Sequence, residues 1–454
     1  MTGDLSPCKD PIHSGTPRNP VLERTTSTPP MSSPSLSRTS RVDYLQQPSS
    51  LKIVTQITPP TSPTPVRSNT DFEDSTSPRP GRKSSVTSSQ TRRSTFVDDN
   101  VVGEDIPLII ECPFEVEIAR NHSDRPQLFG QGAWSKVYRA TGRQKMTLSS
   151  PSAIGVFTPP PSPQTAVPLL VAVKSPLSDA SRTILRNEAV TLSHLSRTPY
   201  HEHFIVPFYG YVPSSASLVL APVPLPLSDH ITACARLAGA NQSDLTSTEP
   251  ALGSSPSWLG LADKLITALS WLHDQAGVVH GDVKPANILL SPNRSSDDFA
   301  FDPLLIDFSS SDILSAAIPT SNTLSALTRE YTAPELLSPS VLRDPTSTAK
   351  PSSDVFSLAV TLIVAATGDL MVYHGNVWQR QHMAQQGFHI LEFVRNGEGG
   401  MRLPRGGVVE RVVRAAVRKT DEGRIDALRW RALVRAIRRD EEGTTQMRKG
   451  QEGV

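Results

Sequence analysis

The chain has 454 residues, and its 37% hydrophobic share together with 41 prolines indicates that part of it does not contribute to a folded core. The 45 basic and 44 acidic residues nearly balance, which excludes a strong overall attraction to nucleic acid or to an anionic membrane. The three cysteines, Cys8, Cys112 and Cys234, lie far apart without metal-ligand spacing. We therefore predict unpaired thiols in a reducing compartment.

Signals for export or membrane insertion are weak in this sequence. The N-terminus MTGDLSPCKDP lacks the apolar region of a signal peptide. The longest apolar run, LAVTLIVAA at 358–366, is about half as long as a membrane span and favours a buried helix. We expect a soluble intracellular protein, located in the cytoplasm, the nucleus or both.

Residues 1–105 are rich in Ser, Thr, Pro and Arg and poor in large apolar residues, which predicts a disordered N-terminal tail. Hydroxyl residues precede a proline at Ser6, Thr16, Thr28, Ser33, Thr58, Ser62, Thr64 and Ser77, and follow basic pairs at Ser84, Ser85, Ser94 and Thr95. Phosphorylation at such sites would add negative charge and regulate the protein. A tail of this composition also contains such dipeptides by chance, and the sequence does not decide between the two readings.

Two types of apolar pattern follow the tail. PLIIECPFEVEI, QLFGQGAWSKVYRA, LLVAVK, IVPFYGYV and SLVLAPV have the composition of β-strands, and a polar insertion near 147–168 separates the second from the third. After about residue 230 the pattern becomes helical, as in WLGLADKLITALSWLHDQ and SDVFSLAVTLIVAAT. The sequence thus predicts a sheet-rich half followed by a larger helical half.

The run FGQGAWSKVYRA, residues 129–140, contains Gly130 and Gly132 before an alternating strand pattern. Glycines allow the backbone to approach a polyphosphate closely and to direct its N–H groups at phosphate oxygens. Taken alone, the run is a weak signal and is more typical of a plain hairpin.

Lys174 ends the apolar strand LLVAVK, where a buried cation requires an anionic partner. Glu188 follows fourteen residues later in TILRNEAVTLSHL, in which Ile184, Leu185, Leu192 and Leu195 are spaced as on one face of a helix. A strand Lys paired with a helix Glu would hold the Lys against the phosphates of a bound nucleotide.

The Gly-rich run, VAVK, the helix Glu, HGDVKPANILL (280–290), LLIDFS and YTAPELL occur in an order that resembles the eukaryotic-type protein kinase superfamily, from about residue 127 to 439. The resemblance implies an α+β, bilobal fold with ATP between the lobes. The N-lobe, about 106–222, would have five strands and one helix, and the C-lobe, about 223–440, would be helical. Polar insertions are expected near 147–168, 236–257 and 291–303, and residues 441–454 are expected to form a C-terminal tail.

The resemblance also implies roles for residues of the catalytic motifs. Asp282 would accept or orient the proton of the substrate hydroxyl, and Lys284 would neutralise the transferring phosphoryl group. Asn287 and Asp307 would hold Mg²⁺ ions. Negative charge spreads over oxygens in the transition state, so placed cations and carboxylates are the main contribution that a protein can make.

A nucleotide-binding cleft follows from the same resemblance. The adenine would lie between Val137 and Ala172 on one side and Leu289 on the other. The hinge would follow Leu220 in SLVLAPVPL, with Ala221 and Val223 facing the adenine and Val223 as the donor. Pro222 lacks a backbone N–H, which this arrangement tolerates.

Kinases of small molecules, such as aminoglycoside and choline kinases, also carry an HGD motif followed by Asn and IDF, so other features must decide the substrate class. Lys284 with Pro285 is typical of Ser/Thr protein kinases. TREYTAPE resembles the end of an activation segment, in which Thr328 would bond Asp282 and Lys284, and Glu335 would pair with Arg424. Asp354 would accept backbone hydrogen bonds from the catalytic loop, although its position before an apolar run also fits a helix N-cap.

Three positions depart from the family pattern. Gly281 replaces the Arg that usually binds an activation-segment phosphate, which predicts activity that does not require such a phosphate. Ser309 replaces the Gly after Asp307 and Phe308 and removes backbone freedom there. Ser135 stands at the third glycine position, and we expect ATP binding to survive this change.

The resemblance predicts a Ser/Thr protein kinase that uses ATP and Mg²⁺, with protein substrates and with regulators that act through the tail. We expect neither nucleic acid nor membrane as a partner. The alternative is a pseudokinase scaffold that binds ATP and partners without efficient transfer, for which Gly281 and Ser309 are the motivation. A small-molecule kinase is disfavoured by the YTAPELL motif.

Overall fold

A computed structural model describes residues 108–144, 168–240, 247–293, 298–316, 327–344 and 347–452. The predicted tail at 1–105 lies outside the described residues, as does nearly all of the insertion predicted at 147–168. The described chain has a sheet-rich N-terminal part and a helical C-terminal part, which confirms the predicted fold class.

The N-terminal part is built on one antiparallel sheet. Its strands are β1 (Phe114–Ile118), β2 (Leu128–Gln131), β3 (Ser135–Gln144), β4 (Leu169–Pro176), β5 (Phe208–Val212) and β6 (Ser217–Leu220). The order is β1-β3-β4-β6-β5, and β2 also pairs with β3. The strands therefore number six in the described residues, where the sequence predicted five.

The additional strand arises because the second predicted stretch, QLFGQGAWSKVYRA, forms two strands, β2 and β3, which pair with each other. Strand β1 also pairs with β3, and an excursion at 119–127 separates β1 from β2. The excursion closes on itself, since the Gln127 N–H donates to the Ala119 carbonyl at 2.8 Å. Arg139 of β3 bonds both ends of the excursion through its own N–H and carbonyl. The ladder thus continues across the interruption, and the Gly-rich end of the strand keeps its place on the sheet.

Helix α1 (Asp179–Leu195) packs against the sheet and begins at Ser178, whose side chain caps the helix by accepting from the Ser181 N–H. Leu185, Leu192 and Leu195 are buried, as their spacing predicts. The same buried face carries Glu188. The helix therefore places a carboxylate beneath the sheet, next to the strand that carries Lys174.

The C-terminal part contains most of the helices in the described residues. They are α2 (Leu227–Ala240), α3 (Ser255–Ser270), α4 (Pro339–Arg343), α5 (Pro351–Thr367), α6 (Val377–Gln385), α7 (Ile390–Arg395), α8 (Val408–Val413) and α9 (Ala427–Glu452). Short strands pair as β7 (Val278–Val279) with β10 (Asp312–Ile313) and as β8 (Ile288–Pro292) with β9 (Phe301–Leu305). Helix α5 is buried along nearly its whole length, and Trp258 of α3 donates its indole N–H to the Leu362 carbonyl at 2.9 Å. In the described chain, no helix combines the length and hydropathy needed to cross a membrane.

Three boundaries differ from the sequence expectation. Helix α9 runs to Glu452, so the boundary predicted at 440 falls inside a helix rather than before a tail. The predicted insertion 236–257 overlaps the end of α2 and the start of α3, and that at 291–303 overlaps β8 and β9. The physical reason is that polar composition is shared by loops and by the outer faces of helices and strands, so it does not mark a loop. Arg438, for example, pairs with Glu442 one turn further along α9.

Candidate active site

A buried cluster of three charged residues joins the sheet, helix α1 and the loop before β10. Lys174 on β4 donates to both carboxylate oxygens of Glu188 at 2.7 Å, which confirms the predicted pair. Its Nζ also donates to Oδ1 of Asp307 at 2.9 Å. Sequence reasoning assigned Asp307 to metal binding and missed this contact. One cation therefore holds together carboxylates that come from two different elements.

The charges in this cluster compete. Burial alone lowers the pKa of Lys174, but the carboxylates of Asp307 and Glu188 outweigh it and hold that pKa above its usual value. Burial also opposes ionisation of Asp307, yet Lys174 and the Ser309 hydroxyl keep its pKa well below the usual range. For Glu188, burial outweighs the opposing charge of Lys174 and raises the pKa to about 7. Asp307 is thus the carboxylate that stays charged under all ordinary conditions.

The loop between β7 and β8 gathers a second set of polar side chains. Lys284 Nζ donates to Asp282 Oδ2 at 2.6 Å and to Thr328 Oγ1 at 2.7 Å. The Asn287 amide donates to the backbone carbonyl of Asp282 at 2.8 Å and to its Oδ2 at 3.1 Å. Burial raises the pKa of Asp282, against the opposing charge of Lys284. The predicted contact of Thr328 with Lys284 is confirmed.

The loop is supported from below by Asp354 of helix α5. Its carboxylate accepts the backbone N–H of His280 at 2.7 Å and that of Gly281 at 2.9 Å. His273 lies 3.0 Å from the same carboxylate through Nε2. The predicted support is confirmed, and the N-cap alternative is wrong because α5 begins three residues before Asp354.

Asp307 and Asn287 lie on facing strand ends, since the Ile306 N–H donates to the Asn287 carbonyl at 3.0 Å. Asp307 adopts a left-handed backbone conformation with φ of 63°, and the Ser309 hydroxyl donates to its Oδ1 at 2.7 Å. The ionised carboxylate and the amide oxygen belong to the ligand types that Mg²⁺ prefers. These two residues therefore fit a magnesium site.

Residues predicted to surround the adenine lie on neighbouring strands. Val137 on β3 is opposite Lys174, and Ala172 on β4 is opposite Leu220 on β6. Leu289 on β8 forms a bridge with Pro226, in the connection from β6 to α2. The residues predicted on either side of the adenine therefore lie close to the same connection, which joins β6 to α2.

The predicted glycines and hinge residues lie around the same cleft. Gly130 on β2 is opposite Val137, and a Cβ at Gly130 would meet no atom within 4 Å, so its backbone is accessible. The Gly132 N–H donates to the Ser135 carbonyl at 2.8 Å. Ala221 donates its N–H to the Pro207 carbonyl at 2.9 Å, and Val223 lies two residues further along, partly exposed.

A sequence profile described as "Protein kinase domain" matches residues 173–404, which is more than half of the chain. The chain belongs to the protein kinase superfamily. The match begins at Val173, so the Gly-rich strands lie before it and are placed in the kinase fold by the structure.

Two curated relatives match shorter stretches of the chain. The chain is 36% identical over 104 residues to the dual specificity mitogen-activated protein kinase kinase hemipterous of Drosophila melanogaster, covering 22% of this chain and 8% of the relative. It is 33% identical over 107 residues to the ribosomal protein S6 kinase alpha-4 of Homo sapiens, covering 23% of this chain and 12% of the relative. The chain therefore spans only a small part of either relative.

The kinase domain also contains the ion pair predicted from the YTAPELL motif. Arg424 donates to the two carboxylate oxygens of Glu335 at 2.5 and 2.6 Å, through both terminal nitrogens. The guanidinium is buried and lies 5.1 Å from the ring centre of Phe356. The pair fixes the end of the segment that carries Thr328 onto the helical core.

Gly281, where the kinase family usually has Arg, has a structural role that the sequence did not reveal. Its φ is 80°, and a Cβ there would collide with the carbonyl oxygen of Ser310. The approach is maintained by the β7–β10 pairing, in which Val279 is opposite Asp312. In the sequence, the only indication of this role was the presence of Gly at a position where a larger residue is expected.

Proposed function

We propose that this chain is a Ser/Thr protein kinase, which transfers the γ-phosphoryl group of MgATP to Ser or Thr hydroxyls of proteins. We further propose that it is of the type without Arg before the catalytic Asp and is active without a phosphate on its activation segment. The observation that carries the proposal is the position of Lys284, which contacts both Asp282 and Thr328.

Each residue of the site has a defined task in this proposal. Asp282 orients the substrate hydroxyl and receives its proton, while Lys284 beside it neutralises charge on the phosphoryl group during its transfer. Lys174, oriented by Glu188, holds the phosphates of the nucleotide. Asn287 and Asp307 would hold Mg²⁺, which would supply positive charge to the phosphate oxygens. The cluster geometry thus provides positioning and charge, which are the main requirements of this chemistry.

Two contacts favour a polypeptide Ser/Thr substrate over a small molecule. Thr328 brings the segment before helix α4 into contact with the catalytic loop. Glu335 and Arg424 then fasten that segment to the core, so it can serve as a platform for a peptide. The names of both relatives include the word kinase, and one is a dual specificity enzyme, which supports a protein hydroxyl as the acceptor.

Independence from an activation-segment phosphate is supported by the contacts around Gly281. This position carries no cation that would bind a phosphate, and the backbone of the loop is held by Asp354 instead. The pairs of Lys174 with Glu188 and of Lys284 with Asp282 are formed by side chains of the protein itself. The site is therefore assembled by contacts within the protein.

The test is transfer of a labelled γ-phosphate from MgATP to the chain itself and to generic Ser/Thr proteins. Asp307→Ala removes a metal ligand and is expected to abolish transfer. Asp124→Asn, which alters a carboxylate with 85% exposure on the excursion, is expected to leave transfer unchanged. If the wild type binds ATP but transfers nothing, the pseudokinase alternative replaces this proposal.

The remaining expectations concern partners and location. We propose protein substrates and regulators that act through the N-terminal tail, with neither nucleic acid nor membrane as a partner. We also propose a location in the cytoplasm or nucleus. Imaging of the tagged full chain tests the location, and exclusive recovery in a membrane or secreted fraction would overturn it.

A further inference from the structure

The first described residues of the chain, 108–112, run between the end of helix α1 and strand β5. We name this stretch the anchor segment. The Ile110 N–H donates to the side-chain oxygen of Ser193 on α1 at 2.9 Å. On its other side, the Ile110 carbonyl accepts from the Tyr211 N–H at 2.8 Å, and the Cys112 N–H donates to the Tyr211 carbonyl at 2.9 Å. The anchor segment thus joins the helix to the sheet edge.

Arg197, just after α1, strengthens the same junction. One terminal nitrogen donates to the Leu108 carbonyl, and the other donates to the Ser193 carbonyl at 3.1 Å. Because the planar guanidinium presents its donors in a rigid fork, it fixes the anchor segment relative to the last turn of the helix. Ser193 itself is fully buried.

Strand β5 is shaped to receive the anchor segment. Gly210 has φ of 138°, and a Cβ there would lie 2.5 Å from the Cys112 nitrogen and 2.6 Å from the Glu111 carbonyl carbon. A β-bulge between Phe208 and Gly210 accompanies this close approach. The absence of a side chain at Gly210 therefore allows the two backbones to touch.

The helix held in this way is the one that carries Glu188. Glu188 precedes Ser193 by less than two turns on the same rigid element. Between them, the Thr191 hydroxyl accepts from Ser311 at 3.0 Å, which connects α1 to the loop after Asp307. A displacement of the end of α1 would consequently alter both partners of Lys174.

We propose that the anchor segment positions Glu188 against Lys174, acting through Ser193 and Arg197, and so sets the rate of phosphoryl transfer. The inference rests on the proposed kinase function and identifies a means of regulating the same site. Leu108 lies three residues after the predicted tail, residues 1–105, for which a regulatory role is predicted. The anchor segment is covalently continuous with that sequence and is hydrogen-bonded to the helix that carries Glu188.

The experiment uses the full chain with Ser193→Ala and Arg197→Ala, which loosen the anchor segment without touching the nucleotide site. Each is expected to lower the single-turnover transfer rate about fivefold, as the loss of one net hydrogen bond implies. The matched controls are Thr183→Ala and Arg186→Ala, which change exposed residues of the same helix. Both controls are expected to leave the rate unchanged.

A double-mutant cycle separates positioning from a general loss of stability. In a Glu188→Gln background, Ser193→Ala is expected to have less than about a twofold effect, because the group that it positions is already disabled. An equal effect in both backgrounds, or a lowered melting temperature with an unchanged rate, would overturn the proposal.

If the wild type transfers no phosphate, the proposed function fails, and amide hydrogen exchange along α1 decides the inference. Faster exchange around Glu188 in Ser193→Ala and Arg197→Ala, but not in Arg186→Ala, would support the positioning role. Unchanged exchange would overturn it.

Discussion

The catalytic loop and the Lys174 cluster solve the same problem of holding charge in place, but over different lengths of chain. Lys284 is two residues from Asp282, and Asn287 is five residues from it. Lys174, in contrast, meets Glu188 across 14 residues and Asp307 across 133. The first arrangement is set by one short loop on a buried helix, whereas the second depends on how three elements pack. We therefore expect abrupt losses from changes in the loop and graded losses from changes around the cluster.

Within the catalytic loop, the largest effect is expected for Asp282→Asn. The amide cannot accept the proton of the hydroxyl, so transfer should fall about a thousandfold. The melting temperature should change little, since the hydrogen bond to Lys284 can be partly retained. The exposed Asp124→Asn is the control, and a loss of less than tenfold for Asp282→Asn would contradict the assigned role.

Gly281→Ala tests whether the close approach to Ser310 shapes the loop. A Cβ costs about 1–2 kcal/mol in this left-handed conformation, and here it also collides with a carbonyl. Displacing the loop by a fraction of an ångström should reduce transfer about a hundredfold. Gly277→Ala is a matched control, because Gly277 has φ of 63° with open space around its Cβ position. Equal effects of the two substitutions would show that the collision is unimportant.

Asp354→Asn should disturb the same loop, because Asp354 accepts hydrogen bonds from its backbone. The amide offers one acceptor oxygen where the carboxylate accepts from His280, Gly281 and His273. We expect a loss of about 2–3 kcal/mol in the free energy of unfolding and about a tenfold lower rate. Urea denaturation and the transfer assay measure the two quantities. An unchanged unfolding curve would mean that Asp354 does not support the loop.

The pH dependence of transfer probes the Lys174 cluster. Glu188, with its pKa raised to about 7 by burial, is ionised above that pH and increasingly protonated below it. Transfer should therefore decrease about fivefold between pH 8 and pH 6, as the charge that orients Lys174 is neutralised. In Glu188→Gln this acid-side decrease should disappear, and its persistence would assign it to another group.

The free energy of unfolding should respond to Glu188 in the opposite sense. The folded carboxyl keeps its proton to a higher pH than the unfolded one, whose pKa is near 4.5. Its contribution to stability is therefore greatest at low pH and decreases as the pH rises from 4.5 towards 7. Denaturation of wild type and Glu188→Gln across this range measures the difference.

The residues that the sequence located correctly lie within short motifs. The spacing of Asp282, Lys284 and Asn287 allows few geometries, and Lys174 needed a carboxylate partner, which Glu188 on the following helix supplies. The pair of Glu335 with Arg424 was accessible through the resemblance alone, because its partners are 89 residues apart.

The features that the sequence did not reveal depend on packing between distant segments. The contact of Lys174 with Asp307 and that of Gly281 with Ser310 are set by how β4, β7 and β10 come together. The extension of α9 was missed for another reason. Polar composition marks an exposed surface, and it does not distinguish a loop from the outer face of a strand or helix.

The central claim is the proposal that this kinase is active without a phosphate on its activation segment. Its most direct test is to remove all phosphate from the purified full chain, verify this by mass spectrometry, and follow the initial rate of γ-phosphate transfer to a protein substrate. The account predicts immediate transfer at a constant rate, equal to that of the untreated protein. A lag that disappears after prior phosphorylation, or no transfer at all while MgATP still binds, would contradict it.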